Sequence, residues 1–286
     1  MHWLTRLQNI DRRVLYIVVV IVLSVPLVMR PKKHPDTVFP EVQHTYNTID
    51  SVPPGKIVLL STSWGAGTKA ENEPQMQALM RHMFKKHIKF AVIAWDASGS
   101  EISYQSGLEV QKDMHAEYGK DWVHLGYKTG AVNAIISGLS VNFPQVMKQD
   151  KTGAPLSKLP AVSFVKDYRQ IGAVCDITSI SLMSYWIAYL TTPKHIPLIY
   201  CPTAVMSAGA YPYLDSGQLS GMLNGVMGAV QYEKLIGRGD VPTDASAISW
   251  ALSCAHIYIL LLIVLGNLGY LVARRAGMSH GGSRLG

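Results

Sequence analysis

The run "ASAISWALSCAHIYILLLIVLGNLGYLVA", Ala245 to Ala273, holds no Asp, Glu, Lys or Arg, has His256 as its only side chain that titrates near neutral pH, and stops at Arg274-Arg275. A helix needs ~20 apolar residues to cross a bilayer. This run exceeds that length, so it predicts a transmembrane helix over 245–273; the competing reading is a buried helix of a soluble core. A second apolar run, "VLYIVVVIVLSVPLVM" over 14–29, lies between Arg12-Arg13 and Arg30. It suits a short span or a signal-peptide core. The end of the run and the residues after it, "LVMRPKKHP", lack a small-x-small cleavage pattern, which favours an uncleaved anchor.

Two spans bring both chain ends to one side of a membrane. Arg274, Arg275 and Arg284 lie beyond the second span, whereas "GRGDVPTDAS" before it mixes Arg238 with Asp240 and Asp244. Basic flanks stay cytoplasmic. Residues 1–13 and 274–286 are therefore expected in the cytoplasm and the central region outside it. The basic flanks of the first span are balanced and leave that vote unchanged.

The formal net charge of +7 is modest and partly made of these flanks. No long Lys/Arg run or basic stripe interleaved with aromatics occurs, so a nucleic-acid partner is not expected. Of three cysteines, Cys254 falls in the second span; Cys175 and Cys201 sit in apolar strand-like runs, as buried thiols or as a disulfide.

Between the spans, β-rich runs alternate with helical patterns. "GKIVLLSTSW", "IKFAVIAWDA", "DWVHLGY", "QIGAVCDIT" and "IPLIYCPTAV" read as strands, each succeeded by helix-period sequence such as "AENEPQMQALMRHMFKKH". This alternation predicts an α/β fold: a Rossmann-like or flavodoxin-like three-layer domain over 56–237, with a mostly parallel sheet. Residues 30–55, rich in proline, read as a tether, and 238–244 as a linker. "PQVMKQDKTGAPLSKLPAVSFVKDYRQ" is a long insertion before the fourth strand, functional or disordered.

Open parallel sheets bind ligands at the carboxyl ends of their strands. Those ends carry Ser61 and Thr62, Asp96, Lys128 and Thr129, and Asp176. They could take a small anionic ligand, although any such fold turns polar where buried strands meet water. "GYKTGA" (126–131) joins a strand to a helix start beside Lys128, yet it matches neither phosphate-loop spacing. No G-x-S-x-G elbow, Cys/His cluster or H-E-x-x-H motif occurs. No catalytic residue, cofactor or metal is expected.

"PYLDSGQLSGMLNGVMGAVQYEKL" (212–235) spaces Gly217, Gly221 and Gly225 four residues apart, with Gly228 three residues on. Each glycine costs a helix about 1 kcal/mol relative to alanine. Read as one helix, the segment would present a side-chain-free groove edged by Gln218, Ser220 and Asn224. Such a groove packs either on the domain's own sheet or against another subunit.

"EYGKDWVHLGYKTG" (117–130) and "YPYLDSGQLSGMLNGVMGAVQYEKL" (211–235) resemble motifs of a family of uncharacterised prokaryotic membrane-anchored α/β proteins, over about residues 56–235. The resemblance implies a shared architecture and no activity. It directs attention to Tyr127, Lys128, Tyr213, Ser216, Gly217 and Gln218.

These features lead to an expectation of a membrane-anchored, non-catalytic subunit or scaffold, forming a homo- or hetero-oligomer through the glycine face. The alternatives are a binding or sensory domain for a small anionic ligand near Lys128, and an enzyme of unidentified mechanism.

Overall fold

The computed structural model describes residues 11–31 and 37–275; Arg6, Arg284 and parts of the expected terminal segments and tether lie outside them. In chain order the main elements are α1 (Arg12–Met29), α2 (Pro40–Asp50), β1 (Ile57–Ser63), α3 (Lys69–Lys85), β2 (Phe90–Ala94), α4 (Ala97–Asp113), β3 (Trp122–Tyr127), α5 (Val132–Val141), β4 (Ile171–Thr178), β5 (Leu198–Pro202), β6 (Gly221–Met222), α6 (Gly225–Glu233) and α7 (Asp244–Arg275). Of the described residues, 37–241 form one compact unit and 11–31 with 242–275 form another.

The central unit is built on a six-stranded sheet in the order β3-β2-β1-β4-β5-β6, with every pair parallel. This is the Rossmann-like order; the flavodoxin-like alternative would place β2 at an edge. Strand order reverses between β1 and β4, which opens a switch point at their carboxyl ends. β1 is buried along its whole length, as a strand covered on both faces must be.

Alternate residues divide the core. Val58, Leu60, Val92, Cys175 and Ile199 join α2, α3, α4 and α6 on one face. Leu59, Ile93, Val123, Val174 and Leu198 join α5 and several short helical turns on the other. Cys175 and Cys201 are free, buried thiols on the first face.

Three expectations meet the structure here, two of them corrected and the open one on the long insertion decided. The stretch read as a tether (30–55) contains α2: Pro40 fixes its first turn, and Val42, Thr45 and Ile49 are buried one and two turns apart. The compact unit therefore starts ahead of residue 56. The long insertion is ordered, with Leu156, Ala161, Val162 and Val165 in the core.

Third, residues 212–235 are not one helix. Tyr211–Asp215 is a short helical piece, Gly217 (φ +74°) turns the chain, Gly221 lies in β6, and Gly225 (φ +51°) starts α6. Gly221 lets β6 approach α2, since a Cβ there would sit 2.4 Å from Thr45 Oγ1. Gly228 lets α6 fold back on the backbone of Leu223. These glycines serve separate close approaches and line no common groove. Gln218 is half-buried beside the turn.

In the other unit α1 and α7 run antiparallel: Tyr258 Oη donates to Leu15 O (3.3 Å), while Arg30 pairs with Asp244 (3.0 Å) and Ser246 Oγ donates to Pro31 O (3.1 Å). Both helices are long and apolar enough to cross a membrane, each with a mean hydropathy of 2.2, and both are largely exposed.

Candidate functional site

At the centre of the sheet's carboxyl edge, Ser61 and Asp176 face each other across β1 and β4 and are fully buried. Ser61 Oγ donates to Asp176 Oδ1 (2.7 Å) and accepts from the indoles of Trp95 (3.0 Å) and Trp186 (3.2 Å). Burial pushes the Asp176 carboxyl up to about 7, since an unscreened charge there would lose its water. Thr62 Oγ1 donates to Ile93 O (3.2 Å) and Ser63 Oγ to Thr178 Oγ1 (2.6 Å). Of the expected strand-end residues, Ser61, Thr62 and Asp176 thus belong to the interior. No solvent reaches that serine.

The flank beyond β2 and β3 is open. A groove of about 360 Å³ runs between the start of α4 and the end of β3, lined among others by Ala97, Ser100, Tyr127, Lys128 and Lys151. The Lys128 backbone N–H donates to Ala94 O (2.9 Å), which anchors the residue to the sheet. Its side chain is half-buried, and burial lowers the pKa of the amine. Among the described residues it has no anionic partner. Lys151 differs: its Nζ pairs with Glu101 (2.8 Å) and lies over the Tyr104 ring. Thr129 is exposed just past the groove.

Beside the groove, Asp96 caps α4. Its Oδ1 accepts from Ser98 Oγ (2.7 Å) and Gly99 N (2.6 Å), and these bonds hold the carboxyl below its ordinary range. The floor is rigid. His124 is fully buried, with burial driving its pKa to about 3. Its Nδ1 accepts from Gly126 N (3.0 Å), so Nε2 carries the proton and donates to Ser103 Oγ (3.0 Å). Asp150 is tied by Thr152 N, Ala154 N and Tyr118 Oη.

A third feature lies outside the residues singled out by sequence. Gly65, Gly67 and Ala70 come after β1 and open α3, in the spacing G-x-G-x-x-A. Ala66–Thr68 form one tight helical turn, and around Gly67 a Cβ would meet nothing within 4 Å. The turn lies on α4, since a Cβ on Gly99 would fall 1.8 Å from Trp64 O. Trp64 Nε1, Thr68 Oγ1 and Asn72 Oδ1 are buried atoms without a partner. Asn72 Nδ2 reaches Thr178 O (3.3 Å) and Cys201 O (3.4 Å) at the ends of β4 and β5. Thr68, the cap residue before α3, lies one helical turn ahead of Asn72.

No protein-family model matches the chain, and no curated protein or solved structure matches it. The resemblance drawn from 117–130 and 211–235 therefore rests on those two motifs, and the reading of function on the geometry above.

Proposed function

We propose that the chain is a membrane-anchored α/β domain that binds a small anionic ligand at the carboxyl edge of its sheet. The observation that carries this reading is Lys128: a cation partly withdrawn from water, without an ion-pair partner among the described residues, in a groove walled by the positive end of α4 and floored by an Asp150 already bonded to Thr152, Ala154 and Tyr118. An anion there would offset the desolvation that now burdens the amine. The leading expectation from sequence, a scaffold, drew on a continuous glycine face, and the dispersal of Gly217, Gly221, Gly225 and Gly228 removes that support.

The expected test is thermal melting of the full-length protein in detergent with inorganic phosphate and a panel of anionic metabolites. A ligand at a hundred times its Kd stabilises the folded state by about 2.7 kcal/mol, and Lys128→Ala should abolish the shift. An equal shift in wild type and variant overturns the role of Lys128.

Membrane anchoring is supported by the length and apolarity of α1 and α7, and the placement of the domain outside the cytoplasm by Arg274 and Arg275. Cys175 and Cys201 are buried, so with the half-buried Cys254 replaced by Ser a cysteine introduced at the exposed Lys120 reports topology. An impermeant maleimide should label Lys120→Cys in intact cells with a permeabilised outer layer. Labelling only after lysis reverses the orientation.

A further inference from the structure

We infer that the anionic ligand is a nucleoside phosphate, with its phosphates at the Gly65–Thr68 turn, its ribose on Asp96 and its base in the Lys128 groove. This rests on the reading of the carboxyl edge as an anion site and extends that site towards the switch point. Three independent observations meet there.

The first is the turn itself. At this helix start Thr68 N and Lys69 N donate to Gly65 O and Ala66 O, and the 17-residue α3 adds the positive end of its dipole. Gly67 is exposed and a Cβ there would meet nothing within 4 Å, so the turn leaves room for a ligand on that side. Thr68 Oγ1, a buried hydroxyl without a partner just ahead of α3, can donate to a phosphate oxygen. Orphaned buried polar atoms at a helix start cost free energy unless something binds them.

The second is Asp96. Both of its side-chain hydrogen bonds fall on Oδ1, which leaves Oδ2 to accept from a ligand hydroxyl. An acid just past the end of β2 suits the ribose 2′-OH and repels a phosphate in its place. Gly65 lies beside it, since a Cβ on Gly65 would be 3.4 Å from Asp96 Oδ1. Turn and acid are therefore neighbours.

The third is the groove, which continues from Ala97 on the far side of Asp96 to Tyr127 and Lys128. Tyr127 is 44% exposed and offers a ring face for a planar base, while Lys128 is a donor to its ring nitrogens or exocyclic oxygens. One extended molecule accounts for the unpartnered Thr68 hydroxyl, the free carboxylate oxygen and the unpaired lysine together.

Full-length protein in detergent is titrated with adenosine diphosphate, its 2′-deoxy analogue and inorganic phosphate, with melting temperature and equilibrium binding as readouts. Adenosine diphosphate should bind at least tenfold more tightly than phosphate. Gly67→Ala adds a methyl where the free protein has room, so its unliganded melting temperature should stay at or above that of wild type while its affinity for the diphosphate falls tenfold or more. Asp96→Asn keeps the helix cap, and it should erase the preference for the ribose over the 2′-deoxy form. If phosphate binds in a Lys128-dependent way, adenosine diphosphate binds no better and Gly67→Ala changes nothing, the nucleotide inference is overturned and the anion reading stands. Absence of any shift with all three probes overturns both.

Discussion

The two faces of the sheet are packed by different means. On one, α2, α3 and α6 are locked by a buried histidine: His82 Nδ1 meets Tyr232 Oη (2.7 Å), its Nε2 lies 3.4 Å from Asp50, Lys86 closes on Asp50 (2.6 Å), and Tyr46 stacks on the ring. Gln75 adds a clasp, donating to the carbonyls of Pro202, Leu223 and Gly225. The other face carries α5 with short pieces, among them Met183–Trp186, a wide π-type turn over Ile187–Thr191, and the 148–166 loop. Its fully buried carboxyl, Asp176, sits under two tryptophans.

Their titration has opposite signs. Burial lowers His82 and His124 on the helical face, His124 to about 3 from an ordinary 6.5. That contribution is full above about pH 6.5 and is lost as pH falls towards 3. Asp176 is raised to about 7 from an ordinary 3.8. Its contribution is full below about pH 4 and is lost as pH rises towards 7. Each face thus limits one side of the range in which the domain is stable.

The largest effect that could break this contrast is a cavity placed in each face. Leu79 and Leu190 are both fully buried, one on the regular α3 and one in the π-type turn. Leu→Ala costs about 2–5 kcal/mol depending on how far the site collapses. Leu79→Ala should lie near the upper limit and Leu190→Ala near the lower, in urea unfolding followed by the fluorescence of the buried tryptophans. Equal costs would mean that the irregular face is as stiff as the helical one.

Next in size is the pH arm. Asp176→Asn removes the ionisation, so its stability relative to wild type should improve between pH 4 and 8, by at most about 4 kcal/mol. Parallel stability curves would show that Asp176 ionises without cost. The smallest effects come from two glycines. Gly221→Ala drives a methyl into the backbone of Thr45 and should cost about 1–3 kcal/mol. Gly217→Ala has open space but a positive φ, and should cost about 1 kcal/mol. The reverse order in the same urea unfolding would restore a role for Gly217 beyond its turn.

The strands β1 to β5 were legible because buried parallel strands are continuous apolar runs with sharp edges. β6 was not: two residues, one of them glycine, leave no pattern. Regular spacing misled over 212–235, where four glycines at helical intervals serve a turn, a strand contact, a helix start and a fold-back. α2 was hidden by the prolines around it, although Val42, Tyr46 and Ile49 keep a helical period. At the site, Lys128 and Asp96 were readable as the first polar residues past their strands. Ser61 and Asp176 looked equivalent, but β1 and β4 run on by two residues and take them inside. The Gly65-x-Gly67 turn was written in the sequence and becomes conspicuous only once β1 and α3 have been bounded.

The meagre β6 has a further consequence. A longer last strand would leave a row of free amide and carbonyl groups, an invitation for another chain to add itself to the sheet. Here two residues pair with β5 and α2 lies across them, with Thr48 Oγ1 donating to Ser220 O (3.3 Å). The opposite border is closed as well: Lys151 N donates to His124 O on β3 (2.7 Å), and Ala161 N to Gly119 O (2.9 Å) just ahead of it. Molecules anchored in one membrane plane collide far more often than the same molecules free in solution. If α1 and α7 hold the domain in a membrane, as proposed above, the stoppered borders of its sheet let copies crowd there without zipping into fibres.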